Sequence, residues 1–160
     1  MLWEIKKSFN DSPKIIAVNL EKQQIVSTSI ELSKNYQATY SLPKKYLYEP
    51  NASLLKSGGF EAVSELFALD KLHQHSHLYT ADEIKDFQGR RFEITQEIPF
   101  QKNDLKKYIQ NQKMNVTTRN FPLKVEDIKK KYKISDGGTL FAFFTTNLKN
   151  EKIVLLCTKI

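Results

Sequence analysis

The stretch "TLFAFFTTNLKNEKIVLLCTKI", residues 139–160, decides the fold because it holds two apolar, β-prone runs around one polar joint. Such runs predict strands, and the joint at Lys149 and Asn150 predicts an antiparallel hairpin. The second run contains Cys157, which we therefore expect to be buried. Because it is the only cysteine, an intrachain disulfide and a cysteine zinc cluster are both excluded.

Working outward from this hairpin, the preceding residues alternate between strand and helix patterns. The stretch "RRFEITQEIPF" has apolar Phe92 and Ile94 at alternate positions, as in a half-buried strand. Helical patterns follow at residues 101–111 and 124–134, with the strand-like "MNVTTRNF" between them. The resulting order β-α-β-α-β-β predicts an α+β fold, a mixed sheet with short helices on one face.

The first half of the chain predicts further strands and one interrupted helix. Residues 14–32 predict a hairpin, and "YQATYSLP" and "KYLYEP" continue as extended segments. A helix is expected to begin near Pro50 or Asn51 and to be broken at Gly58 and Gly59. The stretch "HSHLYTAD" predicts one more short strand.

The charge of this 160-residue chain is concentrated in one segment. The net charge is +7, and residues 101–135 contain ten basic and three acidic side chains, so 10 − 3 = +7. The remaining residues hold fifteen of each sign and cancel. This segment is either a surface that binds a polyanion or a solvated lysine-rich face. The apolar runs are too short to span a bilayer and no signal peptide is evident, so we expect a cytoplasmic protein.

Within this segment, the candidate RNA-binding side chains are cationic, amide or aromatic groups suited to phosphates and bases. An arginine fork can hold phosphate, an asparagine can read a base edge or cap a turn, and a phenylalanine can stack. The alternative for "TTRNFP" is that Phe121 is core and Arg119 pairs with an acid. The candidates are Lys106, Lys107, Arg119, Asn120, Phe121, Lys129, Lys130 and Lys131.

The histidines of "HQHSH" are the only candidates for metal binding, and we predict no metal site. On an extended strand, His73, His75 and His77 would share one face and could hold zinc or nickel. No fourth ligand lies nearby in sequence, which favours packing or capping roles, and leaves a histidine-metal enzyme as a minor hypothesis. No phosphate-binding glycine loop or G-x-S-x-G elbow occurs, so we predict no catalytic residues, although Glu49 and His77 could meet in an unusual fold.

The stretch "YLYEPNASLLKSGGF", which begins at Tyr46, predicts a sharp corner ahead of a helix. Tyr46 and Tyr48 should project from one face of an extended segment. Glu49, Pro50 and Asn51 should then turn the chain into the helix. The corner is either a rigid hinge between two modules, which we favour, or an edge of a substrate channel.

Several separated motifs together resemble one family. "YLYEPNASLLKSGGF", "KLHQHSHLYT", "FQGRRFEI", "NVTTRNFPLKVEDIKKKYKISDGG" and "LFAFFTTNLKNEKIVLLC" occur in its order. It is the C-terminal region of bacterial class I S-adenosylmethionine-dependent methyltransferases of the Bacteroidetes type, which end in a THUMP-like domain. Gly59 departs from the alanine expected there, and His75 lies where the family has no ligand.

The resemblance implies three regions and a function. Residues 45–88 are similar to a ferredoxin-like β-α-β module and residues 89–160 to a THUMP-like module. Residues 1–44 resemble the tail of a methyltransferase domain that is missing here, so S-adenosylmethionine would bind the parent protein and no cofactor would bind this chain. The implied function is RNA recognition, on transfer or ribosomal RNA, in partnership with that domain. A stand-alone nucleic-acid-binding or adaptor module is the alternative.

Overall fold

The computed structural model describes residues 4–8, 10–21 and 24–160, and its strands form two sheets. The first is an antiparallel hairpin of β1 (Lys14–Glu21) and β2 (Gln24–Glu31), as the sequence predicts. The centre of its joint, residues 22–23, lies outside the described residues. Ala17 and Ile30 face inward, whereas the opposite face of the hairpin is exposed.

The second sheet has seven strands in the order β4-β5-β3-β6-β9-β8-β7. All neighbours pair antiparallel except β7 and β8, which are parallel. The predicted mixed sheet and the closing hairpin are thereby confirmed. The strands are β3 (Tyr46–Pro50), β4 (Asp70–Lys71), β5 (Tyr79–Ala81), β6 (Gly89–Pro99), β7 (Asn115–Arg119), β8 (Leu140–Thr146) and β9 (Lys152–Lys159).

The extended segment predicted at residues 36–43 does not become a strand. Within it, the structure shows one isolated bridge, between Tyr40 and Lys71. The short strand β4 was missed by the sequence analysis, because two residues carry no recognisable period.

Within the described residues, four short helices connect the strands: α1 (Ala52–Ser57), α2 (Phe60–Phe67), α3 (Lys102–Ile109) and α4 (Val125–Tyr132). Gly58 ends α1 in a left-handed conformation with φ 74°, which confirms the predicted break at the glycine pair. Ile128 and Tyr132 of α4 are buried, and Val125 is half-buried. The order β-α-β-α-β-β from β6 onward is also confirmed.

All four helices cover one face of the large sheet. α3 and α4 pack on a cluster that includes Ala142, Phe144 and Val154, and α1 and α2 pack on Tyr46 and Tyr48. Strand pairing and side-chain alternation place these two clusters on the same side. The other, helix-free face carries Leu47, Phe92, Phe143, Leu155 and Cys157, and it receives Leu72 and Leu78 from the β4–β5 loop.

The sheet is bent at a bulge in β6. The register with β9 shifts between Ile94 and Gln96, so Ile94 packs on the helix-free face whereas Ile98 packs under α3 and α4. A flat sheet would hold β3 and β7, four positions apart, at roughly 19 Å from each other, using about 4.8 Å per strand. Side chains of the two strands nevertheless touch, so the sheet curls around its helix-free face.

Candidate nucleic-acid interface

Glu49 is the centre of an ion-pair triad on the helix-free face. The residue lies near the end of β3 and is only 2% exposed. Arg90 donates from Nε to Oε2 at 2.6 Å and also contacts Oε2 through Nη2. Arg119 donates from Nη2 to Oε1 at 2.6 Å. A carboxylate buried this deeply requires such charged partners.

The strand registers explain why these three side chains meet. Arg90 lies directly opposite Glu49 in the β3–β6 pairing. Arg119 pairs with Thr145, which aligns with Ile153 of the helix-free face. The curl of the sheet then brings the end of β7 to the end of β3. The triad therefore joins β3 and β6 to β7, the edge strand of the large sheet.

An open cleft of about 400 Å³ lies beside the triad. Its lining includes the charged side chains of Arg90 and Arg119 and the apolar side chains of Pro50, Ala52 and Leu55. Gly89 also lines the cleft. A side chain there would overlap the carbonyl oxygen of Glu49, so the close approach of the two strands requires glycine. The guanidiniums are partly open to solvent, with 45% of the Arg90 side chain and 37% of the Arg119 side chain exposed.

The Tyr-Glu-Pro-Asn corner is built mainly from internal contacts. Tyr46 and Tyr48 share the helix-covered face, as predicted, and are buried there. The Tyr48 hydroxyl donates to the Glu83 carbonyl at 2.9 Å, and burial raises the Tyr48 pKa. Asn51 caps α1 by accepting a hydrogen bond from the Leu54 amide at 3.0 Å, which confirms its predicted capping role.

One part of the corner thus fixes the path of the backbone, and another part faces the cleft. The tyrosines and the cap fix the path from β3 into α1, as expected of a hinge. Glu49 and Pro50, in contrast, line the cleft. Whether substrate contacts that side stays a prediction.

The histidines lie in the turn between β4 and β5 rather than along one strand. The Nδ1 atom of His73 accepts from the His75 amide at 3.1 Å, so the neutral ring carries its proton on Nε2, which donates to the Asn150 side chain at 3.0 Å. The His73 ring also contacts the Asn120 amide group at 3.0 Å. This histidine therefore links the β4–β5 turn to the residue after β7 and to the β8–β9 turn.

The other two histidines have separate surroundings. The ring of His77 stacks on Phe60 with centroids 3.6 Å apart, whereas His75 is exposed. Burial, aided by the charge of Lys71, lowers the pKa of His77 below the ordinary histidine value. Among the described residues, no group of three or more histidine, cysteine or carboxylate side chains is arranged to hold a metal ion.

The basic segment places most of its lysines in solvent. Lys106 and Lys107 on α3, and Lys130 and Lys131 on α4, are exposed, and none has a carboxylate within 4 Å in the part of the chain that the structure describes. Lys129 differs, because its Nζ pairs with Asp136 at 2.5 Å. Asp136 lies one residue beyond the segment whose charge was counted, so the sequence analysis missed this partner.

The structure gives all three candidates in "TTRNFP" internal partners. Phe121 packs edge-on against Phe100 and Phe144, with centroids 4.9 and 5.5 Å apart, so its half-buried ring packs against the core beneath the helices. Arg119 binds Glu49, and Asn120 contacts His73. The alternative raised from the sequence, a core Phe121 and an acid-paired Arg119, is what the structure shows. RNA contact by these residues stays a prediction.

Comparison with known proteins identifies two domain types. Residues 46–87 match a ferredoxin-like domain family, and residues 89–159 match the THUMP domain-like family. The chain is similar to the crystal structure of a putative methyltransferase from Porphyromonas gingivalis W83, with 34% identity and a TM-score of 0.80. The match covers 91% of this chain but only 38% of the other. No curated protein sequence matches the chain.

The α+β fold, with its ferredoxin-like and THUMP-like domains, is therefore established. Among residues 4–8, 10–21 and 24–160, no helix has the length and apolarity to cross a membrane.

Proposed function

We propose that this chain is the RNA-recognition region of an S-adenosylmethionine-dependent RNA methyltransferase, and that it binds RNA phosphates through α3 and α4. The observation that carries the proposal is the set of four exposed lysines, Lys106, Lys107, Lys130 and Lys131. They lie within the residues that match the THUMP domain-like family.

The charge distribution supports phosphate binding. α3 and α4 contact each other and pack on one cluster of the sheet, which supports a single lysine surface rather than two separate ones. Adjacent cations without carboxylate partners repel each other, and phosphates would neutralise them and release counterions. Lys129 is left out of the proposed surface, because Asp136 already neutralises it. Phe121 is left out because its ring is engaged in the core.

The β1–β2 hairpin supports the presence of a neighbouring methyltransferase domain. Its outer face exposes Ile16, Val18, Leu20 and Ile25, which alternation and register place on one side. Such an apolar face is typical of a surface that another element covers. We propose that residues 1–44 belong to the tail of a methyltransferase domain, that this domain covers the hairpin, and that it carries S-adenosylmethionine in the cytoplasm.

Crosslinking of the full-length protein to cellular RNA, followed by mapping of the modified peptides, tests the proposal. Adducts should fall within residues 101–135, the segment that contains α3 and α4. A protein that forms no RNA adducts, or forms them only on the β1–β2 hairpin, would contradict it. The identity of the crosslinked RNA would also distinguish transfer from ribosomal RNA.

A further inference from the structure

The triad around Glu49 holds two arginines at the edge of a cleft with more hydrogen-bond donors than the protein uses. Arg90 donates its Nε hydrogen and one Nη2 hydrogen to Glu49. Arg119 donates one Nη2 hydrogen to Glu49 and one Nη1 hydrogen to the Thr118 carbonyl. A guanidinium has five N–H donors, so each arginine keeps 5 − 2 = 3 that meet no acceptor in the described part of the chain.

The charge balance of the triad also favours an anion. Two guanidiniums and one carboxylate leave a net charge of +1, and only 3% of the Glu49 side chain is exposed, against 45% for Arg90 and 37% for Arg119. Because both arginines bind the same carboxylate through different oxygens, Glu49 fixes their spacing and orientation. A ligand that binds both arginines therefore loses little additional side-chain entropy.

Part of the cleft lining is apolar and suits a sugar or base rather than a second charge. This part includes Pro50, Ala52 and Leu55. A group with a tetrahedral anion beside an apolar body would match both the arginines and these apolar side chains, and a nucleotide has this composition.

The position of Arg119 connects this cleft to the lysine surface. β7 is the edge strand of the sheet and lies in the chain between α3 and α4. Arg119 points to the helix-free face of that edge, whereas the lysines lie on the helix-covered side. A strand of RNA that passes around this edge could contact both.

We propose that Arg90 and Arg119, held in place by Glu49, form a phosphate clamp that binds one nucleotide phosphate of the RNA. The proposal rests on the proposed RNA-recognition function, which it deepens by assigning a second contact on the other face of the sheet. Glu49 acts as a positioning residue, and the two guanidiniums bind the phosphate.

The test replaces arginine by lysine, which keeps the charge but removes the planar fork. The probes are two short fluorescein-labelled oligoribonucleotides of one sequence, with a 5′-hydroxyl or a 5′-phosphate, and inorganic phosphate as competitor. Arg90→Lys and Arg119→Lys should each weaken binding about tenfold, as expected for the loss of one charge-assisted hydrogen bond. The salt dependence should stay unchanged, because the net charge is unchanged.

Arg91→Lys is the matched control. Arg91 neighbours Arg90 on the same strand but points to the opposite face, where it approaches the Lys85 carbonyl. It should bind both probes as the wild type does. Urea unfolding of each variant identifies any loss of affinity that arises from unfolding, and two independent arginines keep the test valid if one variant is unstable.

The outcomes separate this proposal from the proposed function. Loss of affinity for the phosphorylated probe alone assigns the clamp to a terminal phosphate, and equal loss for both probes assigns it to a backbone phosphate. Wild-type affinity in both arginine variants overturns the clamp. If binding still weakens when lysines of α3 and α4 are replaced, the proposed function stands without it.

Discussion

The contact between Glu49 and Arg119 should be a strong stabilising interaction, and a double-mutant cycle measures it. The perturbations are Glu49→Gln, Arg119→Gln and the double variant. The two charges are joined by a hydrogen bond of 2.6 Å, with 3% of the Glu49 side chain and 37% of the Arg119 side chain exposed. At an effective dielectric constant of about 20, opposite charges roughly 4 Å apart attract by about 4 kcal/mol.

That figure must be reduced, because water screens the exposed part of Arg119 and because Arg90 shares the Glu49 carboxylate with Arg119. We expect a coupling free energy of about 1–2 kcal/mol, between the values for exposed ion pairs and for charged hydrogen bonds. The assay is urea unfolding followed by far-ultraviolet circular dichroism, with the free energy of unfolding compared across the four proteins.

A second cycle on Lys45 and Glu93 is the matched control. Their charged atoms are 3.8 Å apart and both side chains are exposed, so the coupling should stay below about 0.5 kcal/mol. If the Glu49–Arg119 coupling is as small as that of the control, the triad does not hold β3 and the edge strand β7 together and the reasoning is wrong.

Three further predictions concern the corner and the turn that surround the cleft. Gly89→Ala should destabilise the fold by about 1–3 kcal/mol because its methyl group overlaps the Glu49 carbonyl. Gly59→Ala comes too close only to the terminal Cδ1 of Ile30, which can rotate away, and should be nearly neutral; thermal melting distinguishes the two variants. Asn51→Ala should cost about 1 kcal/mol of unfolding free energy through loss of the α1 cap and should leave RNA affinity unchanged; lost affinity with wild-type melting would make the corner a substrate contact. Because the folded pKa of His77 is lowered, its contribution to stability is present above about pH 6.5 and is lost as the pH falls through the folded value; His77→Asn should flatten this part of the stability–pH curve, and an unchanged curve would exclude His77 as its source.

Local patterns predicted the elements of this fold well. Alternation and β-branched runs located the two hairpins and β6, and helical spacing located α3 and α4, because these signals depend only on near neighbours. The break at Gly58 and the cap at Asn51 followed from residue chemistry for the same reason. Strand β4 was not predicted, because two residues are too few to show an alternating pattern.

The site could not be assembled from the sequence, because its partners are distant in the chain. Glu49 binds arginines 41 and 70 positions away, and both contacts depend on the strand order and on the curl of the sheet. Arg90 could have been found once β3 and β6 were paired, since it lies opposite Glu49. No local pattern linked Arg119 to Glu49. The sequence analysis could therefore propose phosphate as a ligand of Arg119, but it could not identify the acidic residue with which Arg119 pairs.

The basic segment shows a second limit of prediction from sequence. A count over residues 101–135 located the basic segment correctly but ended just before Asp136, which neutralises Lys129. The sequence analysis proposed the ring of Phe121 as a surface on which a base could stack. In the folded chain this ring instead packs on Phe100 and Phe144, which lie more than 20 residues before and after it. Exposure, which separates a binding ring from a core ring, is a property of the folded chain.

The central claim, that lysines of α3 and α4 bind RNA phosphates, is tested most directly by the salt dependence of binding. Lys130→Gln with Lys131→Gln should reduce the slope of log affinity against log salt by about 1.4, from roughly 0.7 per lost phosphate contact on single-stranded RNA. Melting should not change, because both side chains are exposed. The control, Lys7→Gln with Lys14→Gln, removes the same charge elsewhere and should leave the slope unchanged. Equal slopes for the wild type and the α4 variant would show that these lysines are only a solvated face.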